Sequence, residues 1–383
     1  MNTNYKEKDM IYLDNASTTL KKPVSVYVGV IKAMLKYNAN PGRSGHSLSL
    51  KAGLEVYDTR ELIAKHFNGK SENVIFTSGC TEALNLAIRG TAKAGGHIIA
   101  TAYEHNSVLR VLEALKQDGK ITYTIIYPDK NKKIDVNSIK KAINKDTYAI
   151  ITNHISNVLG IEQDIKSIGK LAKNHNLIYI VDTAQSAGHK HIDMQECKIS
   201  LLAFAGHKGL LGLSGVGGLV VNDGVKLSPI KYGGTGTKSE SLAQPTEIPE
   251  GFECGTLPFL NIVALKYGIQ YINKHFDKIN SKIEELTAFL LENLSNMDNI
   301  ILYTPLNSLN GVVAFNVKNY EASRVSDILN AKFKICVRSG LACAPLVSKY
   351  LGINKNGVVR VSISHYNSKN DIKSLLKALK TIK

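Results

Sequence analysis

No stretch of this 383-residue chain reaches about 18 consecutive apolar residues, so the sequence offers no candidate membrane span. Met1 to Asp9 is polar and lacks the apolar core of a secretory signal, so a cytoplasmic protein is expected. Cysteine is scarce. Cys80, Cys197, Cys254, Cys336 and Cys343 are odd in number and form no C-x-x-C pair, which argues against a disulfide framework or a zinc knuckle. No metal site is expected. G-x-x-x-x-G-K-[ST] is missing, which excludes a P-loop, and no G-x-G-x-x-G follows the early strands, which leaves a nicotinamide site without support. Internal repeats and low-complexity tracts are lacking as well.

What remains is the balance of a soluble globular protein, 44% hydrophobic and 21% charged, long enough for two domains. The formal net charge is +16. Its lysines are scattered, as in Lys130, Lys132 and Lys133 or Lys140 and Lys141, with no basic block interleaved by aromatics. That pattern reads as a solvated basic surface, attractive to an acidic protein, and not as a nucleic-acid site.

From Ser47 onward, segments at helical spacing alternate with short apolar runs. Strands are expected at Asn73–Thr77, His97–Thr101, Ile121–Tyr127, Tyr148–Asn153, Leu177–Asp182, Leu201–Ala205 and Val216–Val221. Helices are expected at Ser47–Phe67, Thr81–Ala94, His105–Lys116, Asp135–Asn144 and Gln163–Asn174. Continuous apolar strands alternating with helices imply a mostly parallel sheet covered on both faces. Residues 223–258 lack periodicity and are rich in Gly, Pro, Ser and Thr, the texture of a functional loop. A long helical stretch, Asn261–Met297, is expected to break near Asp277. A smaller α/β layer follows, with strands at Ile300–Tyr303, Gly311–Val317, Lys334–Val337 and Val358–Ser362. The expected division is a large domain over 15–258 and a small domain made of 1–14 and 259–383.

Ligands of open α/β sheets sit beyond the carboxyl ends of the strands. One such end is Asp182, followed by Thr183, Ala184 and Gln185. Another strand ends in Gly206-His207-Lys208-Gly209. A lysine at a strand mouth can form an imine with an aldehyde cofactor, and a nearby carboxylate can keep a pyridine nitrogen protonated. The alternative is a helix-capping aspartate and a solvated lysine, and the pair alone leaves both open. Thr77-Ser78-Gly79-Cys80-Thr81-Glu82, between a strand and a helix, is a candidate phosphate cradle, although an ordinary helix cap has the same look.

Around these residues an ordered set of motifs spans nearly the whole chain. It comprises Tyr12-Leu13-Asp14-Asn15-Ala16, Asn38-Ala39-Asn40-Pro41, Phe76-Thr77-Ser78-Gly79-Cys80-Thr81-Glu82 and Glu104-His105-Asn106-Ser107. It continues with His154-Ile155-Ser156-Asn157-Val158-Leu159-Gly160, Val181-Asp182-Thr183-Ala184-Gln185, Gly206-His207-Lys208 and Phe252-Glu253-Cys254-Gly255-Thr256. It closes with Arg338-Ser339-Gly340-Leu341-Ala342-Cys343-Ala344-Pro345 and Arg360-Val361-Ser362. In this set the chain resembles class V aminotransferase-fold enzymes, and within them the cysteine desulfurase and selenocysteine lyase group with a compact cysteine loop.

The resemblance implies fold type I of the pyridoxal phosphate (PLP) enzymes. It implies that Lys208 forms a Schiff base with PLP, that Asp182 pairs with the pyridine nitrogen and that Gln185 bonds the ring hydroxyl side. His105 would stack on the ring. Thr81, the backbone around Cys80, and His207 would hold the phosphate. Thr256 would reach the phosphate of another subunit, which implies a homodimer with shared active sites. Arg360, helped by Asn157, would grip the substrate carboxylate, to which Arg's fixed fork is suited. Cys343 would attack the substrate sulfur as a thiolate favoured by nearby Arg338, leaving alanine and a persulfide. L-cysteine is the expected substrate, and a sulfur-acceptor protein the expected partner, for iron–sulfur clusters or other thio-cofactors. L-selenocysteine, another PLP activity (epimerase, aminotransferase or C–S lyase), and a non-catalytic scaffold are the alternatives.

Three positions depart from the family. Ala205 stands where a phosphate-binding Ser or Thr is common, Leu257-Pro258 replaces Pro-Asn after Gly255-Thr256, and Ala342 stands where many relatives carry His. These bear on the phosphate grip, the dimer contact and the surroundings of Cys343.

Overall fold

The computed structural model describes residues 10–42, 44–353 and 356–382. The polar start of the chain, read above for a secretory signal, lies outside the described residues. The chain forms two compact units. The larger holds the described residues of Lys21–His154 and Gln163–Phe276. The smaller holds Ile155–Glu162 and the described residues of Met1–Leu20 and Asp277–Lys383.

The first strand of the chain, β1 (Ile11–Tyr12), belongs to the smaller unit. The larger unit begins with α1 (Val24–Lys36) and α2 (Ser47–Phe67). It continues through β2 (Val74–Thr77), α3 (Cys80–Gly90), β3 (Gly96–Thr101), α4 (Asn106–Gln117) and β4 (Ile121–Ile126). Then come α5 (Val136–Ala142), β5 (Thr147–Asn153), α6 (Ile165–Asn174), β6 (Ile178–Asp182), β7 (Leu201–Ala205) and β8 (Gly217–Val221). The alternation expected from the sequence is all present. Among the described helices of this unit, α1 is the one that the pattern did not announce.

Seven strands make one sheet in the order β2-β8-β7-β6-β5-β3-β4. From β7 to β4 every neighbour is parallel, and β8 alone runs antiparallel to both β7 and β2. The sheet is therefore mixed but mostly parallel, as expected. Strands β2, β3, β6, β7 and β8 are buried almost throughout, which is why they read as unbroken apolar runs. One core face gathers Ile75, Ile98, Ile151, Ile180, Leu201 and Leu219 against Leu84, Ile88, Val108 and Leu112 of α3 and α4. Gly217 lets the turn before α3 come down onto β8, since a Cβ there would lie 2.7 Å from the Gly79 Cα.

The helix α7 (Phe259–Ser295) runs from the larger unit into the smaller and loses helical geometry at His275, two residues before the expected break at Asp277. The smaller unit continues with β9 (Ile300–Leu302), β10 (Val312–Val317), α8 (Ala322–Phe333), β11 (Ile335–Cys336) and β12 (Arg338–Gly340). It ends with α9 (Pro345–Tyr350), β13 (Val358–Ser362) and α10 (Lys369–Thr381). An antiparallel sheet is ordered β12-β13-β10-β9, and β1 pairs with β11 in parallel. Its core joins Leu290, Leu294, Phe315, Val325, Val359, Ile372 and Leu375. A capping box at Ser368 and Asp371 starts α10. Among the described residues no helix is long and apolar enough to cross a membrane.

Candidate active site

In the larger unit the chemistry gathers where β6 and β7, adjacent and parallel, reach their carboxyl ends. Asp182 is the last residue of β6 and is 6% exposed. Its Oδ1 accepts the Ala184 N–H at 2.8 Å and the Cys80 thiol at 3.3 Å. Burial and the Asp182 charge push the Cys80 thiol well up, while Lys208 pulls the other way. Cys80, Asp182 and Lys208 therefore share one electrostatic neighbourhood. Lys208 follows β7 in a turn whose backbone is tied down: the Leu211 N–H donates to the Lys208 carbonyl, and the Lys22 ammonium donates to the His207 carbonyl at 2.7 Å. Burial first, then the charges of Lys208 and Lys22, hold His207 down at about 4, so its imidazole is neutral at physiological pH. Gln185 sits in the turn that leaves Asp182.

The first turn of α3 carries Cys80 and Thr81 just after Gly79. The Thr81 hydroxyl meets the Ser107 hydroxyl at 2.8 Å, and Ser107 meets His105 Nδ1 at 2.9 Å. His105 caps α4, its Nδ1 accepting the Ser107 N–H at 3.1 Å, so the ring proton resides on Nε2. Thr81 and His105 are thus joined through one serine. Beside them Glu104 is fully buried. Its Oε1 accepts from Thr101 Oγ1 at 2.6 Å and from the Asn153 N–H at 3.0 Å, while Oε2 has no partner among the described residues. Burial pushes this carboxyl up to about 8.

Thr256 does not join this group. It is exposed, at a cleft it shares with Asn38–Pro41 and Leu257–Asn261. The loop bearing it is anchored by a buried pair. Arg60 Nη1 donates to Glu253 Oε1 at 2.8 Å, Nη2 bonds Oε2, and the Phe76 N–H reaches Oε1 at 2.6 Å. Ala205 is buried at the end of β7, opposite Gly217, and brings no hydroxyl.

In the smaller unit a second group forms. Arg360, on β13, is 2% exposed. Its Nη1 donates to the Asn157 carbonyl at 3.0 Å, and its Nη2 to Asp14 Oδ1 at 2.8 Å and to Ser17 Oγ at 2.9 Å. Arg338, directly opposite on β12, reaches the same Ser17 Oγ with Nη1 at 3.1 Å and donates from Nη2 to Cys343 Sγ at 3.5 Å. Two guanidinium groups thus converge on one hydroxyl, with a single carboxylate beside them. Arg360 Nε has no partner among the described residues. Such a pair is suited to an incoming carboxylate. Asn157 completes the group, its amide donating to the Ala342 carbonyl at 2.7 Å. All four residues expected here, Asn157, Arg338, Cys343 and Arg360, are brought together.

The geometry adds Asp14, Ser17, Glu104 and Ser107 to the expected set. Three of these lay inside quoted motifs, and Ser17 follows one directly. Among the described residues no group of three or more His, Cys, Asp or Glu side chains gathers as a metal site.

The class-V aminotransferase family model matches residues 11–375. The chain belongs to that family. Among class-V relatives, a protein of Methanothermobacter thermautotrophicus named probable cysteine desulfurase is 33% identical over 98% of this chain and 95% of its own length. One of Pyrococcus abyssi with the same name is 34% identical over 98% of this chain and 94% of its own. The solved apo structure of a cysteine desulfurase from Thermococcus onnurineus NA1 superposes with a TM-score of 0.91 at 34% identity, covering 97% of this chain and 94% of that one. These matches run almost end to end, so the class-V fold is shared across both units.

Proposed function

We propose that this chain is a PLP-dependent cysteine desulfurase that converts L-cysteine to L-alanine and takes the sulfur onto Cys343. The observation that carries the reading is the smaller unit's group, a thiol held by one arginine of a pair suited to a carboxylate. Its whole-length relatives named cysteine desulfurase favour L-cysteine over L-selenocysteine.

The residues of the larger unit fit the cofactor. A buried carboxylate ends β6, a lysine follows β7 next to it, and a helix N-terminus with a hydroxyl and a neutral imidazole offers donors for a phosphate. Asp182 would hold the proton of the ring nitrogen, Lys208 the aldehyde carbon, and Thr81, the Cys80 backbone and His207 the phosphate. His105 would lie against the ring and Gln185 at its hydroxyl side. Bound PLP supplies an electron sink for the carbanion left when the substrate's α-proton departs. Lys208 Nζ, beside the ring, would take that proton. Arg360 orients the substrate through its carboxylate, with Asn157 beside it. The Cys343 thiolate attacks the substrate sulfur. An S–S bond would form as the C–S bond breaks with its electron pair left on carbon; protonation of that carbon, with return of the proton from Lys208 Nζ to the α-carbon, would give alanine.

A second copy of the chain completes the reading. Val24, Tyr27, Val28, Ile31 and Leu35 recur at helical spacing along α1 and are all exposed, as are Leu50, Leu54 and Tyr57 on α2. Apolar stripes of this extent support burial against a partner, and exposed Thr256 suits a reach into the partner's phosphate site. The alanine and sulfide released from L-cysteine by wild type and by Cys343→Ala, with L-selenocysteine in parallel, test the reading. Wild type is expected to release alanine from L-cysteine and the variant to lose that release. Equal rates would defeat the thiol mechanism, and turnover of L-selenocysteine alone would reassign the substrate.

A further inference from the structure

Both Ala342 and Cys343 stand in left-handed backbone geometry, with φ of 46° and 59°. Neither is glycine, so each carries a Cβ where that conformation disfavours one. Two consecutive residues of this kind persist only if their surroundings hold them. Within the turn, one hydrogen bond runs from the Ala344 N–H to the Leu341 carbonyl at 3.0 Å. Besides the Arg338 contact to the Cys343 thiol, a further hold comes from a residue 185 positions away in sequence. Asn157 donates its amide to the carbonyl of Ala342, the peptide between the two left-handed residues.

We propose that Asn157 is a positioning residue, the clip that keeps the Ala342–Cys343 turn in its left-handed form and so presents the Cys343 thiol to Arg338. Asn157 spans the group with both its ends. Its backbone carbonyl takes Arg360 Nη1, and its side chain takes the turn. Its amide nitrogen makes that hydrogen bond at 2.7 Å. Its Oδ1 is buried and has no partner among the described residues. A side chain that served only as a neighbour of Arg360 would have no reason to direct its donor at the loop. The sulfur-accepting role of Cys343 is the reading set out above, and the clip rests on it for its purpose but not for its geometry.

Asn157→Ala removes the donor, and Asn157→Asp removes it while keeping the shape and the backbone contact to Arg360. A buried hydrogen bond of this kind holds a local equilibrium by a factor of about five to ten. Hydrogen exchange measured on the peptide that carries Ala344, in enzyme free of amino acid, is expected to speed up by about that factor in both variants. Exchange in β13 is expected to stay at the wild-type rate, which separates loss of the clip from failure to fold. The kcat for alanine release is expected to fall by a similar factor. Wild-type exchange at Ala344 in both variants, with a loss confined to KM, would overturn the proposal and leave Asn157 a carboxylate contact only. Faster exchange in a protein whose wild type releases no alanine would uphold the clip while removing the desulfurase reading.

Discussion

Replacing Glu104 with glutamine removes one titrating group from a site where burial is complete. In the folded chain the carboxyl is pushed from its ordinary 4.5 up to about 8, by burial first and by the Asp182 charge in smaller part, against the two donors on Oε1. A group whose folded pKa is raised binds its proton more tightly in the folded state. Its contribution to stability is therefore fully present below the unfolded value and is lost as pH rises through the folded one. Each unit corresponds to about 1.4 kcal/mol, so the whole window is worth on the order of 5 kcal/mol, and about 3 kcal/mol of that is gone by pH 7. Glutamine stays neutral, keeps the acceptor that serves Thr101 and Asn153, and puts an N–H pair where the acid carries its proton. Urea unfolding of both proteins at intervals between about pH 5 and about pH 8 measures the difference directly. Near the acid end the titration is expected to separate the two curves by less than about 1 kcal/mol. Toward pH 8 the wild type is expected to fall steadily below Glu104→Gln. Parallel profiles across that range would show that Glu104 titrates as it does in the unfolded chain, and would refute the argument.

Arg60→Met leaves Glu253 buried with its charge partner gone, and a loss of about 3–5 kcal/mol in unfolding free energy is expected. A loss below about 1 kcal/mol would mean the pair is dispensable. Val28→Glu with Ile31→Glu places two charges on the exposed stripe of α1. Sedimentation is expected to show a smaller species than wild type, and an unchanged mass would remove that face from the proposed dimer contact.

Much of this was legible because the strands are buried on both sides. Val74–Thr77, Ile178–Asp182 and Leu201–Ala205 read as strands from their apolar runs alone, and once they are strands, Asp182 and Lys208 must sit at their ends. Helix α1 escaped for the opposite reason. Val26, Gly29 and Ala33 are buried while Val24, Val28 and Ile31 are exposed, so apolar residues occupy both faces and the contrast that marks a surface helix is weak. Arg338–Gly340 read as loop because an Arg-Ser-Gly run carries no strand pattern. Its pairing with Val358–Arg360 comes from tertiary context. The Asp14–Ser17 contribution was out of reach for a related reason, since those side chains meet Arg338 and Arg360 across more than three hundred residues of chain. The partner of Glu253 is similarly remote, although Glu253 itself lay within a quoted motif.

The central claim is that sulfur leaves the substrate by way of Cys343. It is tested most directly by mass spectrometry of the peptide bearing that residue, after the PLP-loaded enzyme meets a single equivalent of L-cysteine without reductant. The account predicts a mass gain of one sulfur atom on Cys343, removed by a thiol and formed together with alanine. Alanine formed with Cys343 unmodified, or the added sulfur found on Cys80 or Cys254 instead, would contradict it.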